Sequence, residues 1–346
     1  MAHPYRIRDI ATQAGLSQAT VDRVLNARGG VRPSTVREVE RAIEDLRRQE
    51  TQLTLTGRTF LLDVVIEAPD RFATAVREAL ERTLPSLRPA VLRSRFHLGA
   101  EFGAGELVTI LDEIAHRGSH GVLLKAPDAP EVVDAVARLR TARIPVVTLV
   151  TDLPTSARVA YVGLDNRAAG ASAGYLLARF VGEGATVLVV RGGSSFRGED
   201  DRQTGLRDVL SMGELHSTEL VSDLHDDVLH GLVRAALQRD PSICAVYSLY
   251  AAGGNGAVVR AFADEERVCT AFVAHDLDDE NTELLRRGDL TVVLHHDLDV
   301  DVRRACTAVL QAQGALPGAA TSWPSSVQVV TPHNFPLPNP RSISWS

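Results

Sequence analysis

The stretch that decides the fold of the amino-terminal part is RIRDIATQAGLSQATVDRVLN, residues 6–26. Ile10 and Ala14 stand four residues apart, as on the apolar face of a helix. Gly15 stands where that helix must stop, and Ser17 is a suitable cap for a second helix. Two short helices joined by a tight turn that contains glycine form a helix-turn-helix.

The second helix presents polar side chains on its outer side. Gln18, Thr20, Asp22 and Arg23 can donate to or accept from base edges and phosphates. A third helix is predicted from Pro33 onward, because proline suits the first helical turn. Its apolar stripe closes a three-helix core and consists of Val36, Val39, Ile43 and Leu46.

Three segments here resemble the headpiece of the LacI/GalR family of bacterial transcription regulators. They are DIA at 9–11, AGLS at 14–17 and TVDRVLN at 20–26. The resemblance implies a DNA-binding domain over residues 1–48 whose second helix enters the major groove. The DNA-binding residues that we predict in it are Arg6, Ser17, Gln18, Ala19, Thr20, Asp22, Arg23 and Asn26.

The side-chain chemistry divides these roles. Arg23 suits bidentate binding to guanine, and Gln18 suits adenine. Asn26, Arg6 and Thr20 are better placed for phosphates.

Asp22 departs from the serine that is usual in the family. An acid that faces the groove accepts a hydrogen bond from cytosine N4 and repels phosphate. We therefore expect an altered operator rather than lost binding.

Residues 49–59 are predicted to be a linker, because the apolar stripe ends near Leu46. In the resembled family a hinge helix here inserts a leucine into the minor groove, and Leu53 and Leu55 are the candidates. The segment is a few residues short for that helix and lacks the usual Pro-Asn. A plain strand-like linker with alternating leucine and threonine is the alternative.

From Phe60 onward, β-branched and leucine-rich runs alternate with amphipathic helical patterns, which predicts parallel sheets covered on both faces. The predicted strands are 60–66, 91–97, 121–125, 145–150, 159–162, 186–190, 243–249, 268–274, 291–294 and 327–330. The predicted helices are 72–82, 107–116, 131–140, 168–181, 228–238 and 302–311. So many units suit two doubly wound subdomains in tandem.

The resemblance extends into this core. YVGLDN at 161–166 looks like the segment that crosses between lobes in LacI/GalR regulators and in periplasmic sugar-binding proteins, and RQTGL at 202–206 looks like a motif of the second lobe. It implies a periplasmic-binding-protein-like core over residues 60–346. We assign lobe one to about 60–163 and 296–323, and lobe two to about 164–295 and 324–346. The proline-rich tail from Thr331 has no heptad repeat, so we expect a homodimer without a tetramerising helix.

An effector site is expected beyond the carboxyl ends of the strands, where two lobes face each other. Polar, charged or aromatic residues follow the strands there, and such a set suits a polyhydroxyl ligand. The candidates are Asp70, Phe72, Lys125, Asp128, Arg197, Arg202, Asn255, His275, Asp276 and His296. By the family resemblance, Asp128, Arg202, Asn255, Asp276 and His296 match ligand contacts, and Phe72 matches a stacking aromatic.

The charge is divided unevenly along the chain. The net charge is −7, yet residues 1–50 hold nine arginines against seven acids, a net +2, so the remainder carries −9. A protein that touches phosphate only through its head has this distribution, and two heads are needed for firm binding. With no signal peptide and no spanning segment in the sequence, we expect a cytoplasmic protein without membrane contact.

Two further classes of protein are alternatives. An enzyme could use the His/Asp run at 295–301 as a metal site or the GGSS turn at 192–195 as a nucleophile, but neither has the required spacing. A sugar-binding protein with a non-DNA role is the other alternative. We predict a non-enzymatic, sugar-responsive repressor that binds a pseudo-palindromic operator and needs no metal or cofactor beyond its effector.

Overall fold

The computed structural model describes residues 3–193, 196–213, 215–222, 226–249 and 254–336, and for residues 51–54 and 104 only the backbone. Within these ranges no helix is both long and apolar enough to cross a membrane.

The head consists of three helices, α1 (Ile7–Ala14), α2 (Gln18–Leu25) and α3 (Pro33–Leu55). Gly15 ends α1 with a φ of 65°, a left-handed conformation that glycine adopts without a steric penalty. The hydroxyl of Ser17 accepts a hydrogen bond from the Thr20 amide and so caps α2. Ile10 and Val21 are fully buried in the small core between the helices.

The third helix is longer than its apolar stripe predicts and runs to Leu55, so the strand-like alternative for the linker is wrong for residues 49–55. The phenol of Tyr5 donates to Glu50 Oε2 over 2.8 Å, which ties the extension of α3 to the head. At its other end Leu55 is only 1% exposed and packs against Phe60 in the first lobe. One continuous helix therefore joins the head to the core, stabilised by contacts that sequence periodicity does not show.

The elements that follow are, in chain order, β1 (Thr59–Glu67), α4 (Asp70–Thr83), β2 (Val91–Gly99), α5 (Ala104–Arg117), β3 (Gly121–Lys125), α6 (Pro130–Thr141), β4 (Val146–Leu149), β5 (Ala160–Leu164), α7 (Asn166–Phe180), β6 (Thr186–Arg191), α8 (Arg197–Leu210), β7 (His216–Val221), α9 (Asp226–Arg239), β8 (Ile243–Ser248), α10 (Asn255–Asp264), β9 (Ala271–His275), α11 (Asp279–Arg287), β10 (Val292–His295), α12 (Leu298–Ala312), β11 (Trp323–Ser325) and β12 (Gln328–Val330). The predicted pattern omitted β7, β11, α8, α10 and α11.

Two six-stranded sheets form, which confirms the predicted tandem of doubly wound subdomains. The first has the order β11-β5-β4-β3-β1-β2, and the second has the order β12-β10-β9-β8-β6-β7. All pairs are parallel except β10 with β12. Strand β11 pairs with β5 through Trp323–Ser325, so the first sheet extends slightly past residue 323, where we had placed the start of lobe two.

Each sheet is covered by helices, and we call the two layered units lobe one (first sheet with α4, α5, α6 and α12) and lobe two (second sheet with α7 to α11). The chain crosses between them after β5, after β10 and between β11 and β12. These crossings hold the lobes edge to edge and leave a cleft between them.

Candidate functional site

The outer surface of α2 carries the residues predicted to bind DNA. Ser17, Gln18, Ala19, Arg23 and Asn26 are exposed. Thr20 and Asp22 are half-buried, and the exposed Arg6 immediately precedes α1. The hydroxyls of Ser17 and Thr20 lie 2.8 Å apart, so the cap residue and its neighbour hold each other at the start of the helix.

Asp22 already has two partners in the head. Its Oδ1 accepts from Asn26 Nδ2 over 2.8 Å, and its Oδ2 accepts from Arg28 Nη1 over 2.8 Å. Ala27, with a φ of 50°, turns the chain back after α2, and the Arg28 amide donates to the Arg23 carbonyl. We call this arrangement the Asp22–Arg28 clasp. Arg28 was missing from the predicted DNA surface because it follows the helix and reaches back to it only through the turn.

The structure places Leu55 of the predicted linker in a core and leaves the side chain of Leu53 undescribed. Leu55 lies in the core of lobe one, so its assignment to the minor groove is corrected: a side chain 1% exposed has no surface left for DNA. Leu53 lies within α3, but its side chain is outside the described part of the structure.

The cleft holds two adjoining cavities. We call the smaller one, of about 30 Å³, the inner cavity and the larger one, of about 110 Å³, the outer cavity. Phe72 and Asp276 line both. The inner cavity is lined by Phe72, Lys125, Val150, Thr151, Asn166, Phe196, Gly198, Glu199, Arg202 and Asp276. The outer cavity is lined by Pro69, Arg71, Phe72, Ala75, Asp276, Leu277, Asp278, His295, His296 and Leu298.

Half of the predicted effector residues meet at these cavities. Phe72, Lys125, Arg202 and Asp276 line the inner one, and His296 lines the outer one. Three others, the exposed Asp70 and Arg197 and the half-buried Asp128, line neither cavity. The remaining two are buried in lobe two: Asn255 donates to Asn281 Oδ1 over 2.7 Å, and His275 Nε2 lies 2.7 Å from the Tyr247 hydroxyl.

Lys125 reaches from the end of β3 into the inner cavity and is 4% exposed. Its Nζ donates to the Glu67 carbonyl over 2.7 Å and lies 3.5 Å from the centre of the Phe196 ring, which belongs to lobe two. Burial lowers the pKa of Lys125 to about 7. The side chain is therefore a contact between the lobes and an amine that can lose its proton near neutral pH.

Arg202 is held by two hydrogen bonds. Its Nε donates to Asn166 Oδ1 over 2.8 Å, and its Nη1 donates to the Leu249 carbonyl over 2.6 Å. Asn166 in turn donates to the Val150 carbonyl over 3.2 Å. Val150 has a φ of 68°, a strained conformation for a β-branched residue, of the kind that concentrates at functional sites.

Close packing of α7 on α8 makes this network possible. A side-chain carbon on Gly170 would stand 1.8 Å from the Arg202 carbonyl oxygen, and one on Gly205 would stand 2.0 Å from the Arg167 carbonyl oxygen. Only glycine permits this approach of the two backbones. The glycines thus bring Asn166 and Arg202 within hydrogen-bonding distance.

His296 stands at the crossing between β10 and α12. Its Nδ1 lies 2.6 Å from Asp301 Oδ2, and its Nε2 lies 3.7 Å from Asp276 Oδ1. Burial alone lowers the pKa of His296, but the hydrogen bond with Asp301 and the charges of both acids outweigh burial and raise it above the ordinary value. The imidazole therefore connects lobe one, through Asp301, with lobe two, through Asp276.

Further contacts cross the cleft. Arg71 of lobe one pairs with Asp278 of lobe two over 3.3 Å. The Gly198 amide donates to Thr151 Oγ1 over 3.0 Å. Together with Lys125 on Phe196, these contacts hold the lobes in a closed arrangement.

Several lining residues were missed from the sequence. Phe196 and Val150 are apolar, so a pattern of polar residues at strand ends does not identify them. Asn166 closes the crossing segment quoted at 161–166, and Thr151 lies two residues after the end of β4, so both carried a usable signal.

The described residues do not form the metal site that the enzyme alternative requires. His296 is bonded to Asp301, and Asp297 caps α12 by accepting from the Val300 amide. In the residues that the structure covers, no group of three or more His, Cys, Asp or Glu side chains could hold a metal ion. Ser194 and Ser195 of the proposed nucleophile turn lie outside the described residues.

Comparison with known proteins extends these observations. Residues 6–47 match the bacterial regulatory proteins of the lacI family, and residues 61–314 match the periplasmic binding protein domain. No curated protein matches the chain.

Solved structures of similar fold include three sugar- or polyol-binding proteins. GanP, a glucose-galactose binding protein from Geobacillus stearothermophilus, is 21% identical with a TM-score of 0.72 over 81% of this chain and 100% of its own. A solute binding protein from Burkholderia graminis C4D1M in complex with D-arabinose is 17% identical, with a TM-score of 0.70 over 81% and 97%. A carbohydrate transporter from Acidothermus cellulolyticus 11B in complex with myo-inositol is 17% identical, with a TM-score of 0.69 over 80% and 94%.

These likenesses show the fold of the core, and the two family matches between them span the head and nearly all of the two lobes. A lacI-type DNA-binding head followed by a sugar-binding-type domain is the architecture of one group of regulators. The chain belongs to the LacI/GalR family of bacterial regulatory proteins.

Proposed function

We propose that this protein is a transcriptional repressor of sugar uptake or catabolism genes, released from or fixed on its operator by a small sugar that binds in the cleft. One observation carries the proposal. A single helix, α3, contacts the head at Glu50 and the core of lobe one at Leu55, so the DNA-binding head and lobe one share one continuous helix.

The lining of the inner cavity supports a polyhydroxyl effector. Arg202 and Asn166 supply donors and acceptors at fixed positions, and Phe72 supplies an aromatic face. Each sugar hydroxyl needs both a donor and an acceptor, and the ring needs an apolar cover. The sugar or polyol ligands of the similar structures agree with this class of ligand.

The coupling follows from the contacts across the cleft. A ligand that replaces the contact between Lys125 and Phe196 changes how lobe one sits on lobe two. In a homodimer, α3 carries that change to the spacing of two heads, each of which places α2 in the major groove of one half-site. The effector can shift operator affinity only by its differential affinity for the two arrangements.

The first experiment is selection of genomic fragments by the full-length protein at moderate salt, where binding to phosphate alone is suppressed. We expect one pseudo-palindromic site with two half-sites, and sedimentation should give a dimer. Genes beside the site should encode sugar transport or breakdown. Fragments without any shared sequence, recovered both with and without added sugars, would refute operator binding.

A sugar panel tests the effector half of the proposal. A ligand at a hundred times its dissociation constant adds about 2.7 kcal/mol of stability, which a thermal melt resolves. Arg202→Leu should lose this response and keep operator binding, because Arg202 lies in lobe two, away from the head. A panel in which no sugar or polyol raises the melting temperature would refute the effector class.

A further inference from the structure

Lys125 is the only lysine in the 346-residue chain, in which arginine supplies every other basic side chain apart from histidine. Arginine stays charged at all physiological pH values, whereas a buried lysine can lose its proton and act as a nucleophile. The one position that keeps lysine is 4% exposed and lines the inner cavity of the cleft. The chain thus retains an amine where arginine would supply the same charge.

The surroundings suit a reactive amine. The Nζ of Lys125 lies against the face of Phe196 and donates to the Glu67 carbonyl, so its position is fixed and water is largely excluded. A buried acidic side chain that lines the same cavity is Glu199, which is 4% exposed. A carboxyl group in the same cavity as a reacting amine can exchange protons with the reacting atoms.

From this geometry we infer that Lys125 captures the effector covalently, as an imine with the carbonyl group of an open-chain aldose or ketose. The inference rests on the proposed sugar-binding role of the cleft and narrows the ligand to compounds that have a free carbonyl. Polyols and glycosides without one fall outside the class.

The step is balanced without any further reagent. The unprotonated amine of Lys125 adds to the carbonyl carbon and gives a carbinolamine. Loss of water forms the C=N bond: the carbonyl oxygen leaves with two hydrogens, which come from the amine. Glu199, which lines the same cavity, is the group that passes a proton to the departing hydroxyl, and hydrolysis reverses the sequence. The lowered pKa of Lys125 keeps a usable fraction of free amine near neutral pH.

The cavities favour a small ligand. The inner one, about 30 Å³, holds little more than the reacting carbon, and the outer one, about 110 Å³, holds a short hydroxylated chain. Phe72 and Asp276 border both, so a chain attached at Lys125 passes between them.

Reductive trapping tests the inference on the full-length protein. It is incubated at pH 7.5 with D-glyceraldehyde, D-arabinose or D-allose and sodium cyanoborohydride, with myo-inositol as the polyol that has no carbonyl. Peptide mass mapping then separates the two primary amines of the chain, Lys125 and the amino terminus. We expect a saturable adduct on Lys125 with at least one carbonyl compound and none with myo-inositol.

Lys125→Arg is the matched control, because it keeps the positive charge but cannot form an imine. Lys125→Met removes both the charge and the amine. Both should lose the adduct and the thermal shift caused by the trapped sugar. Adducts confined to the amino terminus, or a thermal shift that survives in Lys125→Arg, would overturn the inference. Fragment selection remains separate: an operator recovered with no adduct at Lys125 refutes the imine alone, and an adduct without an operator refutes the regulator alone.

Discussion

Arg28 in the head and Arg202 in the cleft place the same guanidinium group in opposite surroundings. The Arg28 side chain is 65% exposed and has one acidic partner, Asp22. Arg202 is 4% exposed, and it donates to the Asn166 amide oxygen and the Leu249 carbonyl. The first stays in water and is screened by salt, while the second has lost its hydration and depends on fixed neutral acceptors.

The comparison shows how one chain divides two kinds of recognition. Under the proposed function the head meets a highly charged polymer, and exposed cations of modest individual effect are sufficient if two heads act together. The proposed ligand of the cleft is small and weakly charged, so each polar group must be held in place by the fold before that ligand arrives. Substitutions in the two regions should therefore differ in size and in their response to salt and pH.

The largest expected effect is on the head, whose core is small. Ile10→Ala removes a fully buried side chain and should destabilise the head by about 3 kcal/mol, a large share of the stability of so small a unit. Operator binding should disappear while the sugar-induced thermal shift of the lobes persists. Ile10→Val, expected to lose only about 1 kcal/mol, is the control. Simultaneous loss of the sugar response would show that the head and the lobes are not independent.

The corresponding substitution in the cleft is Gly170→Ala. The added carbon would stand 1.8 Å from the Arg202 carbonyl oxygen, so α7 and α8 must separate, and we expect a loss of about 2–3 kcal/mol. Urea unfolding followed by circular dichroism measures it. Gly231→Ala in α9 is the matched control, since a carbon there meets no atom within 4 Å and should stabilise the helix by about 0.5–1 kcal/mol. Equal effects from the two variants would contradict the packing of α7 on α8.

How much the sequence predicted also differs between the two regions. Gly15, Ser17 and the apolar spacing define the head locally, so its first two helices were found at once. The end of α3 was missed because it depends on contacts of Glu50 and Leu55 with residues distant in sequence or outside the helix.

In the core, fold class followed from alternating strand and helix patterns, but polar or short elements were missed. The edge strand β7 is largely exposed and has a single buried position, Leu220, which gives no apolar run. Helix α8 begins RGEDDRQ and lacks an apolar stripe at its start. The cleft was predicted in part, because strand ends identify Lys125 and Asp276, whereas Phe196 reaches the cavity only through the meeting of two lobes.

The pH dependence of the cleft is expected to give a smaller effect for each pH unit. The folded pKa of Lys125, about 7, lies below its ordinary value of 10.5, so the unfolded chain binds more protons between these values. The stability contributed by this position should therefore fall as pH decreases from 10.5 to 7, by at most about 1.4 kcal/mol per pH unit. Lys125→Met removes the titration. Its unfolding free energy relative to the wild type should rise as pH falls through this window, and a constant difference would contradict the burial of a titrating amine.

The smallest effect is expected at the clasp, where the exposed surroundings of Arg28 are decisive. Its guanidinium is held beside the row formed by Gln18, Asp22 and Asn26, and it lies near the negative end of the α2 dipole, where a cation is favourable. We predict that Arg28 binds a phosphate and that Asp22, with both oxygens occupied, positions it rather than reading a base.

Arg28→Ala should therefore weaken operator binding severalfold for all sequences alike and reduce the slope of log affinity against log salt by about 0.9 per head. Arg48→Ala is the charge-matched control: Arg48 pairs with Glu44 on α3, away from the α2 surface, and its loss should leave the slope nearly unchanged. Asp22→Ser should leave the preferred operator sequence unchanged. When it is combined with Arg28→Ala, the further loss of operator affinity should be small, because Asp22 acts through Arg28. A changed base preference at one position in Asp22→Ser would show instead that the acid leaves the clasp and contacts cytosine, as its position on α2 alone had led us to expect.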